Sequence, residues 1–395
     1  RIPGRRVAVL LDPDDVGRVL TRTPSPFTPA TREKRAALAH FQPHGVLASP
    51  MPVRAPRRRF NEAVLESGHD THTLAPHFAR VVREETAALL DGRSTLDWDA
   101  FAVAWWRIVR RVVLGDHARD DDVLTDQLAA LRSRGNWAFL TRRSTRRRER
   151  FHARLAAHLR RAEPGSLAAV VAEHGADTGV HPHGQVPHWL FAFDAAGMAT
   201  LRTLALLATD REAAVRARAE IEADDRLPFV RACVLEAVRL WPTTPVLLRE
   251  STTATSWHGE VLPPGTLFVA FAPYLHRAPE LVPFADRFRP AAWLGDAVPE
   301  GDVPEGDVPG AVEGYPGLVP FSAGPGQCPG QHLVLLLASA TLAELLRGGN
   351  YRLRAPHSLR RRDAHDRLPA TLDHFSLAFA RSPAESGHEA RGNSR

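Results

Sequence analysis

The ten residues FSAGPGQCPG, at 321–330, constrain this chain more than any other stretch. Three glycines and two prolines crowd around one thiol, Cys328, and a leucine-rich run follows at once. Glycine lets backbone turn tightly and approach a neighbour closely. The run over about 331–347, closed by Gly348-Gly349, has helical spacing, and its N-terminus points back towards the sulfur. The dipole and free N–H groups of a helix start favour a thiolate. A thiolate held in a rigid loop suits a metal-bound sulfur such as an axial haem ligand. The alternative is a structural free cysteine in a tight turn. A dinucleotide fingerprint does not fit, because Pro329 stands where the third glycine would fall and no βαβ unit surrounds it. There is no CxxC for a dithiol or zinc site.

The rest of the chain sets this loop in a mainly α protein with small β-sheets. Most of residues 60–250 repeats apolar positions at three- and four-residue steps, with glycine near the ends of the runs. A long apolar helix is predicted from near Pro187 to about Thr209, and a shorter one over LPFVRACVLEAVRLWP, stopped by Pro242. After that, PVLLREST, TSWHGEVLPPGTLFVAFAP and LDHFSLAFA read as short strands, so the sheets are expected from the C-terminal half. Residues 295–317, with the tandem EGDVPEGDVPG, read as a loop insertion, and 382–395 as a disordered tail. Residues 1–381 then form a single domain.

Composition narrows the function classes. Basic residues number 51 against 45 acidic, for a net charge of +6, and Lys34 is the only lysine. No aromatic-interleaved basic patch accompanies the excess, so nucleic-acid binding is not expected. The arginine cluster at 142–150 reads as a solvated helix face, with an acidic partner surface as the alternative. Two cysteines, Cys233 and Cys328, make no disulfide framework and fit a reducing cytoplasm. The apolar runs read as buried core helices, and no membrane association is expected. The His- and Pro-rich HPHGQVPHW matches no usual zinc spacing.

Phe321, Gly324, Cys328 and Gly330 resemble the haem-ligand loop of cytochrome P450 enzymes, Phe-x-x-Gly-x-x-x-Cys-x-Gly. Three further stretches fall in the family's order: EAVR at 236–239, AGMAT at 196–200 and HRAPELVPFADRFRPAAW. The resemblance runs from about residue 54 to near Ala380. It implies a P450-like fold with haem b between the long central helix and the cysteine loop, and Cys328 as the proximal iron ligand. Phe321 would shield the sulfur, and amides near Gly330 would hydrogen-bond it. Arg249, Arg54 and Arg58 would hold the haem propionates, with a solvated arginine patch as the alternative for the last two. Glu236 and Arg239 would form a buried structural pair rather than one more helix-surface ion pair. Ala196 and Gly197 would let oxygen and haem approach the central helix. Thr200 would hydrogen-bond dioxygen and help deliver protons, or else bond its own i−4 carbonyl. Phe193, Met198, Thr244, Val246 and Leu247 would wall the substrate pocket.

Three positions depart from the pattern. Ala199 stands where an acid usually precedes the threonine, Gly326 where a basic residue contacts a propionate, and Ala292 where an arginine completes the Glu236–Arg239 group. Asp194 is a weak substitute for the acid, Arg287 or Arg289 for the missing arginine, and Arg54 for the missing propionate contact. The activity implied is insertion of one oxygen atom from O2 into a small, largely apolar organic substrate. Electrons would come from NAD(P)H through a separate ferredoxin and ferredoxin reductase, docked in part by the early-helix arginines. Secondary-metabolite tailoring is the setting the resemblance suggests. A peroxide-using, rearranging or coupling haem-thiolate enzyme and a catalytically weak haem-binding partner protein are the alternatives.

Overall fold

The computed structural model describes residues 4–174, 179–294, 315, 317–359 and 367–383. Of the expected insertion at 295–317, all but Tyr315 and Gly317 lie outside the described residues, as does the tail beyond Pro383. Among the described residues thirteen α-helices carry the fold: α1 (Pro13–Thr21), α2 (Arg32–Leu38), α3 (Arg54–Val64), α4 (Ala75–Leu90), α5 (Trp98–Leu114), α6 (Asp122–Asn136), α7 (Thr145–Arg161), α8 (Leu167–Glu173), α9 (Val186–Thr209), α10 (Arg211–Ala223), α11 (Pro228–Leu240), α12 (Ala272–Arg277) and α13 (Gln331–Gly348).

Helix α9 is the axis. It is apolar over most of its surface, and such a helix is stable only when neighbours cover it. Here α5, α6, α10, α11 and α13 cover it. By length and composition 182–209 is apolar enough to cross a membrane, but 67% of its most apolar window is buried against these neighbours, as in a core helix. Pro187 sits in its first turn, where a missing N–H costs nothing. Helix α11 starts after Leu227 in a left-handed conformation (φ 54°), and the Glu220 carboxylate accepts the free amides of Phe229 and Val230 at 2.7 and 2.9 Å.

The sheets are not confined to the C-terminal half as the sequence suggested. One has the order β1 (Val7–Leu10), β7 (Leu267–Phe271), β4 (Val246–Ser251), β2 (Phe27–Thr28). A second has β3 (Thr95–Asp97), β9 (Ala378–Ser382), β8 (Asn350–Ala355), and β5 (Thr255–Trp257) pairs with β6 (Glu260–Leu262). Strand β1 runs parallel to β7, with Val7 opposite Leu267. The three N-terminal strands are two to four residues long, too short to show a period of their own, and they exist because a distant strand supplies their hydrogen bonds.

Candidate haem-thiolate site

The cysteine loop is held by its own backbone and by two neighbouring side chains. The Cys328 N–H donates to Phe321 O at 2.8 Å and the Gln327 N–H to Gly324 O at 2.9 Å. Arg58 Nη1 donates to Gln327 O at 2.7 Å, and Ser67 Oγ to Pro329 O at 2.6 Å. Helix α13 begins at Gln331, three residues past the sulfur. Burial pushes the Cys328 thiol up, while the Gly330 N–H and the Arg58 charge oppose that and favour the thiolate. Phe321 packs half-buried against the main core. Cys328 is half-buried, so its sulfur keeps some accessible surface.

Gly324 is the position where glycine is required. Its φ is +61°, and a Cβ there would stand 2.7 Å from the carbonyl oxygen of Leu20. Both the left-handed backbone and the contact with α1 exclude a side chain. Gly324→Ala is therefore expected to cost about 1–3 kcal/mol. Urea denaturation of the haem-free protein reads this directly, and an unchanged midpoint would mean the loop does not hold this turn.

The loop is tied to the core through Glu236 and Arg239, both fully buried on α11. Arg239 Nη2 donates to Glu236 Oε1 at 2.9 Å and to Arg287 O at 2.7 Å, and Nη1 to His276 O and Ala285 O at 2.9 and 2.8 Å. Glu236 also accepts the Arg289 backbone N–H at 2.6 Å and Trp293 Nε1–H at 3.0 Å. So the third partner is neither an arginine side chain at 287 nor one at 289. The indole of Trp293, next to Ala292, takes that place, aided by the Arg289 amide. Every polar atom of the buried pair is thereby paired, as a buried charge requires.

His276 extends the network to the loop. Its Nε2 accepts the Val319 N–H at 3.0 Å, two residues before Phe321. An accepting Nε2 means a neutral ring, and burial together with Arg239 lowers its pKa to about 3. The line Glu236, Arg239, His276, Val319 thus fixes where the cysteine loop starts.

Across from the loop stands α9. Gly197 faces α5: a Cβ there would lie 2.8 Å from the Trp105 ring. Trp105 Nε1–H donates to Phe193 O at 2.7 Å. The space left by Gly197 is thus used by Trp105, and the expected approach of oxygen is not where this glycine's missing side chain opens room. Ala196 and Thr200 are buried, and Thr200 Oγ1 donates to Ala196 O at 2.8 Å, the i−4 bond considered from the sequence. Asp194 is paired with Arg132 of α6 at 3.1 Å. Of the pocket candidates, Phe193 is buried and Met198, Val246 and Leu247 are half-buried; Thr244 is exposed at the turn before β4.

A buried cation cluster completes the site. Arg54 and Arg249 are 3% and 4% exposed, and burial lowers both to about 10. Arg249 donates to Thr23 Oγ1 at 3.0 Å, Leu248 O at 3.0 Å and Ser322 Oγ at 3.2 Å. Gly326 makes room for it, since a Cβ there would be 2.5 Å from Arg249 Nη2. The space that a side chain at 326 would take is filled by the Arg249 guanidinium. Arg54 donates to Val46 O at 2.8 Å. Among the described residues neither Arg54 nor Arg249 forms an ion pair with a carboxylate. Charges left so deep without a counter-ion fit an anionic ligand, and two propionates beside a thiolate loop suit this donor set. Of the early-helix arginines, only Arg59 is exposed; Arg57 is buried on Ser49 Oγ at 2.7 Å.

The sequence reading missed Trp293, His276 and Lys34, and also a buried amide network. Gln185 Oε1 accepts from Val46 N and Asn61 Nδ2, and Asn61 Oδ1 from Trp189 Nε1–H at 2.7 Å, locking α3 against α9. The tryptophan next to Ala292 and the chain's lone lysine were visible signals. The amide network had none. A cleft of 920 Å³ lined by Leu90, Arg93, Glu344, Arg347 and Arg381 opens at the C-terminal end of α13. It lies about 27 Å along that helix from the thiol and takes no part in the site.

The sequence model of the family described as Cytochrome P450 matches residues 198–368. Cyclooctat-9-en-7-ol 5-monooxygenase of Streptomyces melanosporofaciens is 33% identical over 128 residues, 32% of this chain and 25% of that protein. Cytochrome P450 4c3 of Drosophila melanogaster is 29% identical over 119 residues, 30% of this chain and 20% of that protein. The chain thus spans a quarter or less of the length of these relatives. Among solved structures, a retinoic-acid-bound cyanobacterial CYP120A1 superposes with a TM-score of 0.72 at 15% identity, covering 97% of this chain and 91% of that one. A 6-coordinated cytochrome P450 of Thermus thermophilus gives 0.67 at 19% identity, covering 95% and 92%. These likenesses establish the fold, and the matched segment contains Thr200, Glu236, Arg239, Arg249 and Cys328. Over residues 198–368 the chain is similar in sequence to the cytochrome P450 family, and its fold is that of cytochrome P450 structures.

Proposed function

We propose that this protein is a haem-thiolate monooxygenase that inserts one oxygen atom from O2 into a small, largely apolar organic substrate. The observation that carries this reading is the pairing of a backbone-held thiol, Cys328, with deep cations that have no carboxylate of their own. Haem, when bound, supplies activation of dioxygen and transfer of one oxygen atom. The chain's own residues do the rest. Cys328 is the thiolate ligand, steadied by the Gly330 N–H and Arg58. Arg54 and Arg249 hold the propionates, and Phe321 covers the sulfur. Thr200 donates to Ala196 O, which leaves its own oxygen free to accept from water and hold a proton carrier in the pocket. Phe193, Met198, Val246 and Leu247 exclude bulk water. A separate ferredoxin and reductase deliver electrons from NAD(P)H, and the protein works as a soluble cytoplasmic enzyme in secondary metabolism.

One observation favours a second reading. Ala199 provides no acid beside Thr200, and Asp194 is engaged by Arg132. Peroxide as oxidant would need fewer proton deliveries. The test supplies the purified haem protein with cyclooctat-9-en-7-ol, the compound named for a relative, and with a panel of apolar terpenes. Turnover under labelled dioxygen with NADPH, a surrogate ferredoxin and its reductase is compared with turnover on hydrogen peroxide. Label in the product from dioxygen supports the monooxygenase. Product only with peroxide supports the second reading, and no oxygenated product under either condition would sink both.

A further inference from the structure

Lys34 is the only lysine in the chain, and it lies half-buried on α2. Its Nζ donates to Leu248 O at 3.3 Å, and Arg249 Nη1 donates to the same oxygen at 3.0 Å. Two basic side chains therefore converge on one neutral acceptor, with the Arg54 charge also acting on Lys34. The acids next in sequence are turned away: Glu33 and Glu250 both bind Arg5, at 3.0 and 2.7 Å. On the α9 side Lys34 meets His188, which its charge and that of Arg132 help keep neutral. Among the described residues no carboxylate pairs with Lys34, and its other ammonium protons have no acceptor. Like charges gathered in a low-dielectric interior repel unless an anion joins them.

We infer that Lys34, together with Arg249, holds a carboxylate in the pocket. Lys34 stands on α2, apart from the elements that carry Arg54 and Arg249, and adds a third basic group beside them at Leu248 O. The carboxylate comes either from a haem propionate or from an amphipathic carboxylic-acid substrate. The inference rests on the haem-pocket reading only for the first source.

The ionisation of Lys34 adds a separate readout. Burial and the neighbouring arginines lower its pKa from 10.5 to about 7. Between those values the unfolded chain binds more protons than the folded one, so the stability of the haem-free protein rises with pH across this window. Lys34→Met is expected to flatten that rise, because it removes the uncompensated charge.

The test uses purified haem protein, wild type, Lys34→Met and Lys34→Arg, with folding checked by circular dichroism. Calorimetry compares dodecanoate with dodecanol, and a second assay follows haem loss to excess apomyoglobin. If the carboxylate is the substrate's, the wild type prefers dodecanoate by about tenfold or more, the worth of one charged hydrogen bond. Lys34→Met then loses the preference, Lys34→Arg keeps it, and haem loss is unchanged. If the carboxylate is a propionate, Lys34→Met loses haem about tenfold faster or more, and dodecanoate binding is unchanged. Unchanged ligand preference together with unchanged haem loss in Lys34→Met would overturn the inference. Should Lys34→Met fail to fold, Lys34→Gln takes its place in both assays. Failure of the haem-thiolate reading shows itself separately, as protein that takes up no haem.

Discussion

Glu236→Ala lowers the stability of the haem-free protein by about 3–5 kcal/mol, the cost of leaving one member of a buried ion pair unmatched. That is a large share of the roughly 5–15 kcal/mol that holds a folded domain together. The size follows from what the carboxylate does. It neutralises Arg239 at a site with no solvent, and it accepts the Arg289 amide and the Trp293 indole. Removing it strands one charge and two donors at once. Glu236→Gln keeps an oxygen for one of those donors but not the charge, so its loss should be smaller. Because Arg239 also closes residues 276–287 onto α11, the damage should spread to the cysteine loop through His276 and Val319. Denaturant titration measures the stability, and haem retention measures the spread. Adding Arg239→Leu to Glu236→Ala should recover part of the loss, since contacting residues are not additive. A Glu236→Ala protein as stable as wild type would show that the pair is not buried as described.

Cys328→Ser should abolish the thiolate spectrum of the haem protein while leaving the haem-free fold nearly intact. A serine oxygen can accept the Gly330 N–H as the sulfur does, and the loop's backbone bonds to Phe321, Arg58 and Ser67 do not involve the side chain. What serine lacks is an anion at neutral pH. The other cysteine is the control. Cys233 is fully buried on α11, and burial pushes its thiol well above the usual range, so Cys233→Ser should leave the spectrum unchanged. The decisive comparison is urea midpoint against absorption spectrum in the two variants. A thiolate spectrum surviving in Cys328→Ser would remove this residue from the site.

Much of this was legible in the sequence where it depended on neighbours in the chain. Helices α9, α11 and α13 announced themselves through apolar spacing bounded by Pro187, Pro242 and Gly348-Gly349. Glu236 and Arg239 stand three apart, and one helix face brings them together whatever else the protein does. What stayed hidden depends on contacts between distant segments. Strand β1 is four residues long and finds its partner about 260 positions later, so no local period could mark it. Trp293 was one residue from the position under scrutiny, but nothing local says that an indole will donate to Glu236. Arg249 lies against Gly326 only after β4 and the cysteine loop have docked. Lys34 was noticed as a matter of composition; its meaning appears only when Leu248 O is seen to be shared with Arg249.

The central claim, that Cys328 is a thiolate ligand to haem in this fold, is tested most directly by the absorption spectrum of the purified wild-type protein, reduced and exposed to carbon monoxide. The account predicts the red-shifted Soret band of thiolate-ligated haem. Folded protein that takes up no haem, or a band typical of a neutral or histidine ligand, would contradict it.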